Sequence, residues 1–188
     1  MLNEQGFDLW ADGYDRSVGL SDEGNTYPFA GYKRVLNAIY NAVLANGCQT
    51  VLDIGFGTGT LTQKLYEHGC TVYGQDFSQR MIELAKVKMP KAELYQGDFT
   101  KGLVETLKQN RYAIVATYSL HHLTDAEKVV FIENLRPLLN DGGKIYIGDV
   151  AFPNRVQMEA CRADAGEEWD GDEIYFVVDE LQVRFPQM

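Results

Sequence analysis

Residues 28–46 place Phe29, Tyr32, Val35, Leu36, Ile39, Tyr40, Val43 and Leu44 at helical spacing, with Pro28 near the start and Gly47 just past the end. This spacing predicts an amphipathic helix with one apolar face. Beyond it, β-rich runs alternate with helical ones: a strand over 50–54, a helix over 60–68 closed by Gly69, a strand over 71–75 and a helix over 78–88 ending before Pro90. The alternation continues with a strand over 93–96, a helical run over 102–109 and a strand over 112–118. Thr124-Asp125-Ala126-Glu127 has the form of a capping box, in which Thr124 accepts from the Glu127 amide and Glu127 from the Thr124 amide. A helix opens there and runs to Leu139, and a turn over 140–143 leads to a fifth strand over 144–150. Strands separated by helices need crossover connections, which predict an α/β fold with a doubly wound, mostly parallel sheet.

The C-terminal pattern is less regular. Residues 153–165 read as a helix and 166–172 as an acidic loop, while 174–185 fit either a helix capped by Asp179 or an apolar strand, of which the helix is the expectation. With 188 residues, 45% of them hydrophobic, one globular domain with a sizeable core is expected over 1–188. The formal charge of −10 opposes binding to nucleic acid, and the seventeen Lys and Arg form no basic cluster. Cys48, Cys70 and Cys161 are widely spaced and form no C-x-x-C pair, and the histidines form no cluster, so reduced thiols and no metal site are expected. No signal-peptide run and no stretch of eighteen apolar residues occurs, which predicts a cytoplasmic protein without membrane contact.

The chemistry concentrates where the first strand meets its helix, in Asp53-Ile54-Gly55-Phe56-Gly57-Thr58-Gly59-Thr60. Alternating glycines allow positive φ and close approach of a ligand to the backbone, and the helix start offers free N–H groups. The dinucleotide fingerprint G-x-G-x-x-G requires a glycine where this chain has Thr60. The Asp53 carboxylate would repel pyrophosphate but suits a ligand carrying an ammonium group.

D-x-G-x-G-x-G after an apolar strand resembles motif I of the class I S-adenosylmethionine-dependent methyltransferases, whose fold is a Rossmann-like sheet. Asp76 ends the second strand seventeen residues after Gly59, the position from which an acid accepts from ribose hydroxyls. Alone, it reads equally well as a helix cap. Gln96-Gly97-Asp98-Phe99 resembles the family's G-D-apolar motif, which implies that Asp98 takes the adenine amine and Phe99 packs on the ring. The same resemblance brings Phe77 and Met81 to the adenine, although either suits a core. The cofactor-binding set is thus Asp53, Gly55, Phe56, Gly57, Gly59, Asp76, Phe77, Met81, Asp98, Phe99 and Ser119.

The fourth strand runs into Tyr118-Ser119-Leu120-His121-His122, which should face the transferred methyl group because ligands lie beyond the carboxyl ends of strands. This is not the N-P-P-Y type of sequence used on amide or exocyclic amino nitrogens. His121 reads either as a substrate-facing base or as a structural histidine, with Tyr118 as another acceptor contact. Trp10-Ala11-Asp12-Gly13-Tyr14-Asp15 resembles a lid segment, in which Tyr14 would close the site.

Together these segments and Gly142-Gly143-Lys144-Ile145 resemble the small bacterial YrrT-type methyltransferases over nearly the whole chain. The resemblance implies methyl transfer to a small-molecule acceptor. It divides the domain into a lid and helix over 1–46, a cofactor-binding core over 50–150 and a helical extension over 151–188. It also implies an antiparallel strand pair near the C-terminus, which the chain up to Met188 leaves out, so a five-stranded sheet is expected. Its fifth strand would be an open edge covered by residues 153–185 or by a second subunit, as in a homodimer. Two other readings stand beside this one: an S-adenosylmethionine-binding protein without catalysis, and an NAD-dependent oxidoreductase, which Thr60 and Asp53 disfavour.

Overall fold

Thr50–Ile54 (β1) carries four consecutive buried residues, so both of its faces must be covered. The computed structural model describes residues 31–47 and 50–187. The expected lid, with Trp10 and Tyr14, lies outside the described residues. Tyr32–Ala45 (α1) precedes β1, and Thr60–Glu67 (α2), Thr71–Asp76 (β2), Gln79–Lys88 (α3) and Glu93–Gln96 (β3) follow it. Ala113–Thr117 (β4), Asp125–Leu135 (α4) and Ile145–Gly148 (β5) complete the alternation. The strands pair in the order β3-β2-β1-β4-β5, all parallel.

Successive strand residues face opposite ways, and the register sets Val51 beside Val72 and Ala113. On that face Val51 and Val115 pack with Leu36, Ile39 and Val43 of α1 and with Leu61 and Leu65 of α2. Val72 packs there with Ile82 and Ala85 of α3. The other face sets Leu52, Ile54, Ile114 and Ala116 against Phe131 and Leu135 of α4. The sheet is therefore doubly wound, as the alternation predicts.

The capping box at Thr124 forms with both of its reciprocal bonds. The helix it opens is shorter than expected: Pro137 has no N–H to continue the ladder, and Arg136–Leu138 is a 3-10 turn. The helical run expected over 102–109 is instead two 3-10 turns, Phe99–Lys101 and Glu105–Gln109, broken at Gly102 with φ 107°.

Arg155–Ala165 (α5) is helical as expected, and its Asn154 cap accepts from the Gln157 amide. Residues 174–185 are not one helix. Phe176–Val177 (β7) pairs in parallel with Ala151–Phe152 (β6), and helix begins at Val178–Arg184 (α6). Tyr175, Phe176 and Val177 are buried in succession, a pattern that an amphipathic helix cannot satisfy. No helix among the described residues is long and apolar enough to cross a membrane.

Gly74 of β2 shows how tightly the loop after β1 and strand β3 crowd the sheet. A Cβ there would lie 2.6 Å from Phe56 Cδ1 and 3.0 Å from Leu94 Cδ2. Gly74→Ala is expected to destabilise the fold by about 1–3 kcal/mol through overpacking, measured by urea denaturation.

Candidate functional site

The strand order reverses between β1 and β4, whose connections leave toward opposite sides of the sheet. That reversal opens a crevice beyond their carboxyl ends, where ligands bind in open α/β sheets. The loop 55–59 leaves β1 here, with Gly55, Gly57 and Gly59 at φ 68°, 55° and 77°. All three lie in the left-handed region that costs a side chain energy, so the alternation of glycines is what lets this turn form. The segment after β4 closes on the same loop. A Cβ on Gly55 would lie 2.5 Å from Ser119 Cβ, and Ser119 Oγ donates to the Ile54 carbonyl at 2.8 Å.

Two acids end in this crevice. Asp76 accepts from the Gly57 amide at 2.8 Å through Oδ2 and from the Ser78 amide at 2.9 Å through Oδ1, so it ties the glycine loop to the start of α3. Asp53 is 1% exposed and accepts from the Thr62 hydroxyl through Oδ2. Its Oδ1 is buried with no hydrogen-bond partner among the described residues. Burial pushes the Asp53 pKa up to about 7 against the Thr62 bond, with the Asp76 charge adding to the rise. An orphaned acceptor beneath a glycine loop fits a cationic group on a ligand.

The other expected residues divide between loop support and core. Phe56 is buried against Val72, Ile82 and Met89, so its side chain packs into the core behind the loop. Phe99 is buried with its ring centre 5.7 Å from that of Phe131, and its Cε1 lies 3.5 Å from where a Gly55 Cβ would stand. Met81 is buried, and its amide donates to the capping Ser78 hydroxyl. Phe77 is half-buried, and its carbonyl accepts from Gln96. Asp98 caps the 3-10 turn after β3 by accepting from the Thr100 amide at 3.0 Å, and it pairs with Lys101 at 3.0 Å. Burial alone would raise its pKa, but the bonds from Thr100 and Lys101 bring it below the ordinary carboxylate value.

Tyr118 holds φ 51°, a costly conformation for an aromatic residue, and its ring centre lies 5.0 Å from that of Tyr32 on α1. His121 belongs to a separate charged group. Its Nδ1 lies 2.7 Å from Asp149 and its Nε2 3.4 Å from Glu173. Burial would lower its pKa, but the hydrogen bond and charge of Asp149 and the charge of Glu173 leave it raised. Asp149, Glu173 and the buried Lys128 are not evident from the sequence motifs. Asp149 does carry a signal, since it follows β5 just as Asp53 and Asp76 mark the ends of β1 and β2. No group of three or more His, Cys, Asp or Glu among the described residues is arranged to hold a metal ion.

Known proteins share this architecture. A family profile described as a methyltransferase domain matches residues 51–143, which span the glycine loop through the turn before β5. An uncharacterized methyltransferase of Anoxybacillus flavithermus is 42% identical over 163 residues, covering 86% of this chain and 74% of the relative. One from Geobacillus thermodenitrificans is 38% identical over 187 residues, covering 95% of this chain and 84% of the relative. Among solved structures, the complex of DhpI with SAM and HEP superposes with a TM-score of 0.68 at 19% identity, covering 96% of this chain and 84% of that one. The magnesium protoporphyrin IX methyltransferase of Synechocystis PCC 6803 with bound SAH gives 0.64 at 18% identity, covering 84% and 73%. The structural likenesses fix the fold and the sequence relatives fix the family, which sets aside the nicotinamide reading. The G-x-G-x-G loop at the β1/β4 switch point thus sits in a chain that belongs to the class I S-adenosylmethionine-dependent methyltransferases.

Proposed function

We propose that this protein moves the methyl group of S-adenosylmethionine onto a small-molecule acceptor bound beyond the carboxyl ends of β4 and β5. The observation that carries the reading is Asp53, two residues before the glycine loop, whose buried Oδ1 has no hydrogen-bond partner among the described residues. Asp53 would receive the ammonium of the cofactor's amino-acid end, Asp76 its ribose hydroxyls, and Asp98 with Phe77 and Met81 its adenine. Gly55, Gly57 and Gly59 admit the ligand to the backbone, while Phe56, Phe99 and Ser119 hold that loop in place from behind.

The bound cofactor supplies a methyl group on a sulfonium, already activated for displacement by its positive charge. What remains for the protein is to align the acceptor in line with that methyl and to exclude water. Tyr118, set at the switch point in a strained conformation and held by Tyr32, is suited to contact the acceptor. His121 faces two carboxylates, which favour its protonated form against the cost of burial. A charge of −10 supports a small molecule over a nucleic acid. The lid reading of Tyr14 stays part of this proposal on sequence grounds. Incubation with S-adenosylmethionine and a metabolite panel, followed by quantification of S-adenosylhomocysteine and of methylated product, tests the reaction. Absence of any acceptor-dependent turnover across amines, thiols, carboxylates and hydroxyls would count against it.

Asp76→Ala is expected to weaken S-adenosylhomocysteine binding at least about tenfold, or about 1.4 kcal/mol, by calorimetry. The loss has two sources, since the ligand hydroxyls and the Gly57 amide both lose their acceptor.

Asp53 makes binding depend on pH. The folded protein keeps the proton on this acid up to about pH 7, whereas an unfolded chain releases it near 3.8. Asp53 therefore destabilises the ligand-free fold increasingly between those values, and binding of an ammonium must expel the proton. Affinity for S-adenosylhomocysteine is expected to rise with pH and to level off above about 7, with proton release seen in the buffer dependence of the binding enthalpy at lower pH. Asp53→Asn should weaken binding and flatten this profile while stabilising the ligand-free protein above about pH 7. An unchanged profile in the variant would remove Asp53 from the ammonium site.

A further inference from the structure

His121 sits where two elements meet, and its ring presents a nitrogen to a carboxylate on each side. Nδ1 lies 2.7 Å from Asp149 Oδ1, and Nε2 lies 3.4 Å from Glu173 Oε1. A neutral imidazole carries one N–H, so it can satisfy one of these acceptors while turning a lone pair toward the other. The imidazolium donates to both. The residue is 6% exposed, so the difference between the two states is felt in a poorly screened setting. Asp149 has little freedom to turn away, because its carboxylate also accepts from the amides of Leu120, His121 and Val150.

Glu173 is the freer partner, and it leads into β7. The Ile174 amide donates to the His121 carbonyl at 2.8 Å, and the Phe176 amide donates to the Val150 carbonyl at 3.1 Å. Lys128 of α4 donates to the Ile174 carbonyl and lies 4.7 Å from the Phe176 ring centre. These bonds lay residues 173–177 against the turn after β4 and the end of β5. Among the described residues, the other titratable groups near the His121 ring are His122, Lys128 and Tyr175. The His122 ring centre lies 4.3 Å away, and burial followed by the His121 charge pushes its pKa down to about 4, which leaves it neutral near pH 7. Lys128 is a like charge whose pKa burial depresses, and Tyr175 lies with its ring centre 6.4 Å from that of His121.

We propose that His121, protonated between Asp149 and Glu173, is a latch that fixes residues 173–177 over the carboxyl ends of β4 and β5 and frees them when it loses its proton. The segment then forms the wall on the acceptor side of the site, a consequence that rests on the acceptor position proposed above. The contribution of the latch is complete below the ordinary histidine value of 6.5 and is lost as pH climbs past the raised value in the folded protein.

Hydrogen exchange on the whole ligand-free chain tests the latch. After correction for the intrinsic pH dependence of exchange, the Ile174 and Phe176 amides should lose protection by about tenfold between about pH 6 and about pH 8.5. Glu173→Gln should remove most of that step, because a glutamine amide can donate to a neutral ring or accept from a charged one. His121→Gln provides a second variant, and nitrogen shifts of the imidazole should report both N–H groups at the lower pH. Flat protection in the wild type, an equal step in Glu173→Gln, or a neutral His121 ring at about pH 6 would each overturn the latch. Binding of S-adenosylhomocysteine, measured on the same proteins, keeps the two readings apart. Its absence in the wild type would strike the cofactor assignment and leave the exchange result to decide the latch.

Discussion

The contact between Gly55 and Ser119 is the constraint on which the site depends. β1 and β4 are neighbours in space but their connections diverge, so the crevice between their ends must be closed by whatever follows each strand. Here the two followers approach until no side chain fits at position 55: a Cβ there would stand 2.5 Å from Ser119. The hydrogen bond from Ser119 to the Ile54 carbonyl secures the same approach. With the loop pinned from this side and tied by Asp76 from the other, the Gly57 amide and the start of α2 have fixed positions. A cradle rigid before its ligand arrives spares the ordering cost that a mobile loop would carry.

Three acids, Asp53, Asp76 and Asp149, stand at or just beyond strand ends, and their surroundings separate their roles. Asp149 accepts three amides and an imidazole N–H, so its charge is matched within the fold. Asp76 accepts the Gly57 and Ser78 amides, which tie the glycine loop to α3. Among the described residues Asp53 has one hydroxyl partner and one orphaned oxygen, and it answers burial by holding its proton up to about pH 7. An unmatched buried carboxylate is among the costlier features a core can carry. The ammonium proposed to bind there would give that cost a use, because the ligand's cation would complete what the fold leaves unfinished.

Much of this arrangement was legible in the sequence. Periodicity located the parallel strands, Thr124 and Glu127 marked the start of α4, and the missing glycine at Thr60 separated the loop from dinucleotide binders. Other features depend on contacts that local pattern does not encode. Phe56 and Phe99 sit within recognisable motifs, yet the structure buries both side chains in the core. The segment 174–177 has too few residues for either period to emerge, and its strand pairing with residues 151–152 is set by long-range register. Lys128 looks like a solvent-facing residue of α4, but its side chain is 1% exposed and bonds a backbone carbonyl forty-six positions away.

This division between local and distant contacts follows the two ends of the reaction. The residues proposed for the cofactor come from strand ends and their immediately following turns, so each carries its signature in a few consecutive positions. The proposed acceptor side is assembled from Tyr32 on α1, Tyr118 and His121 after β4, Asp149 after β5 and Glu173 before β7. No short motif spans that set, and each member alone has an ordinary structural explanation. A glycine loop can thus declare a methyl donor from sequence, while the proposed acceptor wall depends on how the C-terminal segment closes on the sheet. Changes in that segment would alter the acceptor wall while leaving the glycine cradle unchanged.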